Sequence, residues 1–367
     1  MTSIHRAGLT GPKRVTVDDE RAGALELRPL CLLEGANTDW NELAEQAGNI
    51  FGTPEWATTW WRHFGAGRRL LATECRSREG RLVAVLPLYL WRGKPLRVVR
   101  LVGHHAGDQL GPVCLARDRR AVAEALAAVL ADCDADIFVG EQMACAEGWG
   151  GLLSAKTLVR EGSPILRLEE PDWEAFLASC SRNLRSQIRT RERKLMRTHE
   201  VRYRMTASRS ELEADLDTLF ALHRLRWQGQ PTSFMTAESF HREFAACALE
   251  RGWLRLWFLE IDSVPRAAWY GFRFGGVESF YQGGRDRSWD PYSTGFLVLV
   301  HSIREALADR MSEYRFLRGE EEYKYRFASS DPGLETIGLT RGLTSRAALG
   351  AALLARRSEM VRSMISP

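Results

Sequence analysis

The chain has 367 residues, of which 45% are hydrophobic and 27% charged, a balance that excludes a disordered or fibrous protein and, at this length, calls for roughly two or three domains. Its 51 basic and 47 acidic residues leave a net charge of +4, too even a balance for the whole chain to be a nucleic-acid binder, so local patches must carry any such reading. Seven cysteines, odd in number and never spaced C-x-x-C, exclude an evident zinc site or redox pair and read as apolar free thiols, so no metal is expected. No apolar run approaches the ~20 residues of a transmembrane segment, and no signal-peptide pattern opens the sequence, so the expected location is cytoplasmic.

Residues 1–24 are polar and aperiodic and read as a mobile tail. In TPEWATTWWRHFG, Thr53 is a candidate N-cap with Pro54 at the first helical position, and Trp56, Trp60 and Phe64 recur at spacings of four. LLATECRS, RLVAVLPLYLW and LRVVRLVG follow as a three-strand meander, then an alanine-rich helix over 119–131 and a strand at 135–139. SRNLRSQIRTRERKLMR is an amphipathic helix: Leu184, Ile188 and Leu195 mark one face, and Arg182, Arg185, Arg189, Arg193 and Arg197 form a cationic stripe on another. That stripe reads as a solvated face, a grip on tRNA or another polyanion, or a contact to cofactor phosphates. ELEADLDTLFALHRLRW places Leu212, Leu216, Leu219, Phe220, His223 and Trp227 on one core-facing stripe, with His223 as a core histidine. The strands WLRLWFLEI, RAAWYGFRF and VESFYQGGR come next, the last two joined by Gly275-Gly276, then a helix over 294–309 and a strand at 313–317.

Both halves thus run helix, meander, helix, strand. The expected fold class is α+β (mixed α/β), two tandem domains, each a mostly antiparallel central sheet flanked by helices. The expected boundaries are an N-terminal domain at 25–170, a basic linker helix at 171–200, a C-terminal domain at 201–340 and a basic C-terminal helix at 341–367, which carries Arg346, Arg356, Arg357 and Arg362.

Ser293, Thr294 and Gly295 open the helix after the meander. Free backbone N–H groups and the positive end of the dipole make such a start a seat for a pyrophosphate, although Ser and Thr are equally ordinary N-caps. The order of three antiparallel strands, phosphate-ready turn, helix and strand resembles the centre of the GNAT acyltransferase fold. YRFLRGEEEYKYRF resembles a motif of the GNAT group associated with cellulose and exopolysaccharide biosynthesis. FGTPEWATTWWRHFG and RLVAVLPLYL resemble the N-terminal half of that group, and STGFLVLVHSIREAL its C-terminal half. The usual motif has Asp where this chain has Arg315 and Glu320, and Pro where it has Glu322. The phosphate turn keeps one glycine, Gly295, of the usual pattern.

The resemblance implies two GNAT-like domains and an acyl group, acetyl in the first instance, moved from acetyl-CoA or another acyl-CoA to an amine or hydroxyl of a small-molecule or saccharide acceptor. Ser293, Thr294 and Gly295 would take the pyrophosphate, and Tyr281 and Gln282 would face the thioester. Glu320 and Glu321 are the candidate bases, as neighbouring carboxylates raise each other's pKa, and Tyr323 is the candidate acid for the leaving thiolate. Arg318 and Lys324 would hold an anionic acceptor or a phosphate. Asp108 and Gln109, in the glycine-rich turn of the first half, would line an acceptor cleft or form a plain turn. The degenerate phosphate turn keeps open the related Fem-type reading, aminoacyl transfer from tRNA gripped by Arg182, Arg185, Arg189 and Arg193, and a non-catalytic polyanion-binding relative stands as a third.

Overall fold

The computed structural model describes residues 13–15 (backbone only), 25–31, 38–93, 96–342, 345–347 and 350. The chain forms two compact units: residues up to 47, 51–161 and from 333 onward make the first, and 48–50 with 162–332 the second. Among the described residues no helix is long and apolar enough to cross a membrane.

The first unit contains β1 (Lys13–Val15), β2 (Leu25–Pro29), α1 (Thr38–Ala47), α2 (Pro54–Phe64), β3 (Arg69–Leu70), β4 (Thr73–Arg76), β5 (Leu82–Leu86), β6 (Leu88–Arg92), β7 (Arg97–Leu101), β8 (Val113–Cys114), α3 (Arg119–Asp132), β9 (Ile137–Ala144), α4 (Trp149–Leu152) and β10 (Lys156–Glu161). The second contains β11 (Ile165–Arg167), α5 (Trp173–Ser179), α6 (Arg182–Met196), β12 (Val201–Met205), α7 (Arg209–Arg226), α8 (Ser233–Thr236), α9 (Glu238–Glu250), β13 (Leu254–Ile261), β14 (Val264–Phe274), β15 (Val277–Arg285), α10 (Thr294–Ala308), β16 (Glu313–Arg315) and α11 (Glu322–Tyr325). The chain then returns to the first unit as β17 (Leu334–Thr340).

Helix α2 starts as the sequence dictates: Thr53 Oγ1 accepts the Trp56 N–H at 3.2 Å, and Trp56 and Trp60 bury completely. The expected single strand RLVAVLPLYLW is two. Pro87 has no N–H to give a ladder, and the chain changes sheet there. Strand β5 lies in a five-stranded sheet of order β1-β2-β4-β5-β8, and β6 in a six-stranded sheet of order β10-β17-β9-β7-β6-β3, so the expected meander is divided between two sheets.

The second unit is built on one six-stranded sheet, β11-β16-β15-β14-β13-β12, antiparallel except for β15 and β16. One face is covered by α10, α6 and α5, where Leu184, Ile188 and Leu195 pack in one core with Leu297, Val300 and Ile303. The other face carries α7 and α9, with Leu212, Leu216 and Phe220 buried on α7.

Three expected boundaries move. The 171–200 segment is no linker: its apolar stripe has to be covered, and it belongs to the second unit. That unit ends at residue 332 and not 340, because β17 pairs with β9 and β10. Of the expected tail, Lys13–Val15 pair with β2, and the rest of it lies outside the described residues, as do Arg356, Arg357 and Arg362. Trp227, expected on the buried stripe of α7, is 42% exposed because the helix turns off at this C-cap residue, with φ −95° and ψ 9°.

Candidate functional site

The site begins where two parallel strands separate. Strand β15 pairs with β16 only over Val277–Ser279 against Glu313–Arg315, and then runs on to Arg285 while β16 stops. Just past the separation the β14–β15 register jumps, Gly271 facing Phe280 and Tyr270 facing Gln282, so Tyr281 is the extra residue of a β-bulge. Two glycines end the strand. A Cβ on Gly284 would lie 2.5 Å from the backbone nitrogen of His223, so α7 crosses too close for any side chain. The Gly283 carbonyl accepts from His223 Nδ1 and from the Arg226 guanidinium, each at 3.2 Å.

A short 3-10 turn, Arg287–Tyr292, then delivers the chain to α10. Ser293 adopts a left-handed conformation, φ 58°, and donates its N–H to the Asp290 carbonyl at 2.9 Å. The helical ladder opens with the Leu297 N–H on the Ser293 carbonyl at 3.0 Å, so the N–H groups of Thr294, Gly295 and Phe296 have no intrahelical acceptor and present the positive end of the dipole. At Gly295 the missing side chain lets the Arg285 stem pass, 3.1 Å from where a Cβ would be.

A cleft of about 340 Å³ lies against this helix start and the end of β15. Arg191, Arg226, Arg285 and Arg326 line it with Tyr323, and Asp290 is its carboxylate, held by Arg285 at 2.7 Å. Arg191 lies over the Phe296 ring at 4.5 Å and has no carboxylate partner among the described residues. Burial, and then the neighbouring charge of Arg326, lower its pKa. Arg326 itself bonds Gln187 at 3.2 Å and Glu322 at 3.1 Å. The Tyr323 phenol is pushed up to about 12 by burial, which outweighs the opposing charge of Arg226. Such a cleft suits an anion: an excess of guanidinium groups, unpaired N–H groups and partial exclusion of water.

Of the residues singled out from the sequence, Ser293, Gly295 and Tyr323 line the cleft. Thr294 is fully buried beneath it, its Oγ1 without a hydrogen-bond partner. Tyr281 points elsewhere: the bulge leaves it on the α7–α9 face, among Phe234, His241, Tyr270 and Phe272. Gln282, half-buried, is not among the lining residues either. Glu320 is exposed and accepts the Gly162 N–H at 3.0 Å.

Glu321 does not behave as a carboxylate raised by its neighbour. Burial does push its pKa up, but the hydrogen bond and charge of Lys324, 2.9 Å away, outweigh it and hold the group below the usual range. Lys324 is buried, with its ammonium on the carbonyl of Arg318 at 2.6 Å, that of Gly319 at 3.4 Å and on Glu321. It closes its own loop, and cannot reach an anionic acceptor; Arg318 remains exposed. Asp108 and Gln109 are half-buried in the turn of the first unit that follows β7. On α6, Arg182, Arg189 and Arg193 are exposed, Arg189 pairing with Glu174 at 3.1 Å, while Arg185 caps the carbonyls of Leu177 and Ala178.

The sequence reading passed over Arg191, Arg226, Arg285 and Arg326. A signal for two of them was present. Arg191 falls three residues after Ile188 and four before Leu195, and Arg226 three after His223, so each is an arginine at a core-stripe position. An unpaired charge is costly there unless the stripe runs into a cleft.

Residues 182–325, which hold every lining residue of this cleft but Arg326, match the family described as an acetyltransferase (GNAT) domain. Most of the second unit is thus similar to a GNAT domain. Among solved structures, the chain resembles FemX with a TM-score of 0.62 at 9% identity, over 86% of this chain and 97% of that one. It also resembles the C-terminal domain of a putative lysylphosphatidylglycerol synthetase from Agrobacterium fabrum, with a TM-score of 0.56 at 9% identity over 88% and 94%. A third is L-PGS from Bacillus licheniformis, with a TM-score of 0.51 at 11% identity over 87% and 98%. At these identities the likeness is one of fold, and it spans nearly the whole of each chain: the architecture is similar to that of FemX. No curated protein matches the sequence.

Proposed function

We propose that the protein is an acyltransferase that takes an acyl group from a coenzyme A thioester bound in the second unit and passes it to an amine or hydroxyl. The observation that carries this reading is the juxtaposition of the α10 N-terminus with Arg191, a half-buried guanidinium lacking a carboxylate, in one cleft of a GNAT domain. The donor's diphosphate would lie on the N–H groups of Thr294, Gly295 and Phe296, with Arg191 and Arg285 beside it. The edge of β15 left open beyond Ser279 would hold the thioester arm through backbone hydrogen bonds.

In the transfer, the nucleophile's lone pair forms the new bond to the thioester carbon and the C–S bond breaks. Glu321, ionised at neutral pH, is the base proposed to take the nucleophile's proton, with Glu320 the second candidate. Tyr323, neutral at that pH, donates a hydrogen bond to the departing sulfur. A saccharide acceptor, and a role in exopolysaccharide biosynthesis, are supported by the sequence resemblance of the FLRGEEEYK segment. The exposed arginines Arg182, Arg189 and Arg193 favour a second reading, aminoacyl transfer from tRNA.

Calorimetric titration with coenzyme A and acetyl-CoA tests the first reading. Saturable binding, lost in a Thr294→Pro, Gly295→Val double variant that stays folded by circular dichroism, is the expected result. Absence of binding, together with salt-dependent tRNA binding that fails when Arg182, Arg189 and Arg193 are neutralised, overturns it in favour of the second.

A further inference from the structure

The floor of the cleft is aromatic, and the sheet is bare beside it. On the paired strands Trp269 faces Gly283 and Phe280 faces Gly271. A Cβ on Gly271 would come within 2.5 Å of the Trp269 ring, so that glycine lets the indole lie flat across the sheet. Phe280 stacks on it, with the ring centroids 5.5 Å apart and the planes at 14°. Gly283 contributes no side chain, and a Cβ there would already be 3.3 Å from the Phe280 ring, so its absence is what leaves the space beside that ring free. The indole is itself fully buried, its Nε1 donating to the Tyr314 hydroxyl at 2.8 Å and Phe280 stacked on its ring, so the half-buried Phe280 is the aromatic face that the cleft presents. Phe296, Val298 and Leu299 of α10 add apolar lining.

We propose that this slot seats an apolar acyl chain longer than acetyl, and that Phe280 sets how long a chain is accepted; the proposal rests on the coenzyme A thioester reading above. An acetyl group carries a single methyl and leaves most of the aromatic surface uncovered. Each methylene added to the chain is covered in turn, tightening binding roughly fourfold per methylene until the slot is full. The amino group of an aminoacyl donor fits poorly, since the guanidinium groups of Arg191, Arg226, Arg285 and Arg326 offer it no acceptor and repel its charge.

The test is calorimetric titration of the full chain with free coenzyme A and with its acetyl, butyryl, hexanoyl, octanoyl and decanoyl thioesters, repeated for Phe280→Ala and Phe280→Trp. The expected result is a dissociation constant that falls about fourfold per methylene to an optimum beyond acetyl. That optimum moves to longer chains in Phe280→Ala and to shorter ones in Phe280→Trp, opposite shifts that unfolding does not produce. Coenzyme A binding with no dependence on chain length, or equal loss for every thioester in both variants, overturns the proposal while leaving the donor reading intact. Failure of free coenzyme A and of every thioester to bind overturns both.

Discussion

The side chain of Arg226 reaches from the last turn of α7 to the carbonyl of Gly283 at 3.2 Å, joining the helix to the strand end that forms the cleft. His223, one helical turn earlier, donates to the same carbonyl. This double clamp works only because the next residue, Gly284, has no side chain. Gly284→Ala would drive a methyl into the α7 backbone, which cannot move without its whole helix. The expected cost is about 1–3 kcal/mol, read as a lowered midpoint of urea denaturation, with donor binding weakened in the fraction that remains folded.

Arg191→Gln is expected to behave in the opposite way. The guanidinium has no carboxylate partner among the described residues and loses only its contact with the Phe296 ring, so stability should fall by no more than about 1 kcal/mol. Loss of one charge-assisted contact to a donor phosphate should weaken binding by about 10- to 100-fold. The salt dependence of binding should flatten as well. A variant that binds coenzyme A as tightly as the parent would remove Arg191 from the site.

Acid should unfold the protein through its buried imidazoles. Burial pushes His223 and His301 down to about 4. His223 Nδ1 must carry the proton it donates to Gly283, and Nε2 then accepts from Thr232 Oγ1 at 3.0 Å. The unfolded chain takes up a proton at each histidine near pH 6.5 and the folded chain resists until about 4, so their contribution is fully present above pH 6.5 and is lost between 6.5 and 4. The loss is on the order of 3 kcal/mol per imidazole at full titration. Equilibrium denaturation at pH 7.5, 6, 5 and 4.5 measures it, and His301→Phe, at a residue with no hydrogen bond among the described residues, should flatten part of the slope.

Helix α6 is expected to be inseparable from the second unit. Ile188→Ala removes a fully buried side chain from the core shared with α10, at a cost of about 2–5 kcal/mol. Limited proteolysis should then cut within 162–332 at lower denaturant concentrations than in the parent. Cleavage confined to 182–196, with the rest of that unit intact, would restore the linker reading.

What could be read from the sequence was local. The caps, the apolar periods of α2, α6 and α7, the Gly275-Gly276 hairpin and the helix after Ser293 are each decided by residues within one or two turns of one another. What escaped was set by partners far along the chain. Leu334–Thr340 becomes a strand through β9 and β10, which lie well over a hundred residues earlier. Tyr281 faces away from the cleft because it is the extra residue of a bulge, and nothing in VESFYQGGR marks where that residue falls. The Glu320–Glu321 pair looked like two carboxylates in conflict, whereas the fold gives each its own partner, Gly162 and Lys324. Arg191 and Arg226 were hidden among more conspicuous arginines, although their positions on apolar stripes set them apart.

The return of the chain to its first unit also orders events during synthesis. Strand β9 has β7 on one side and waits for β17 on the other, and β10 has no other neighbour in the sheet. A ribosome adding about 5–20 residues per second takes roughly 10–40 s to travel from the end of β9 to β17. Through that interval the second unit can fold to completion while the sheet begun before it keeps an open edge, the kind of surface on which chains aggregate or chaperones bind. The first unit to emerge is thus the last to close.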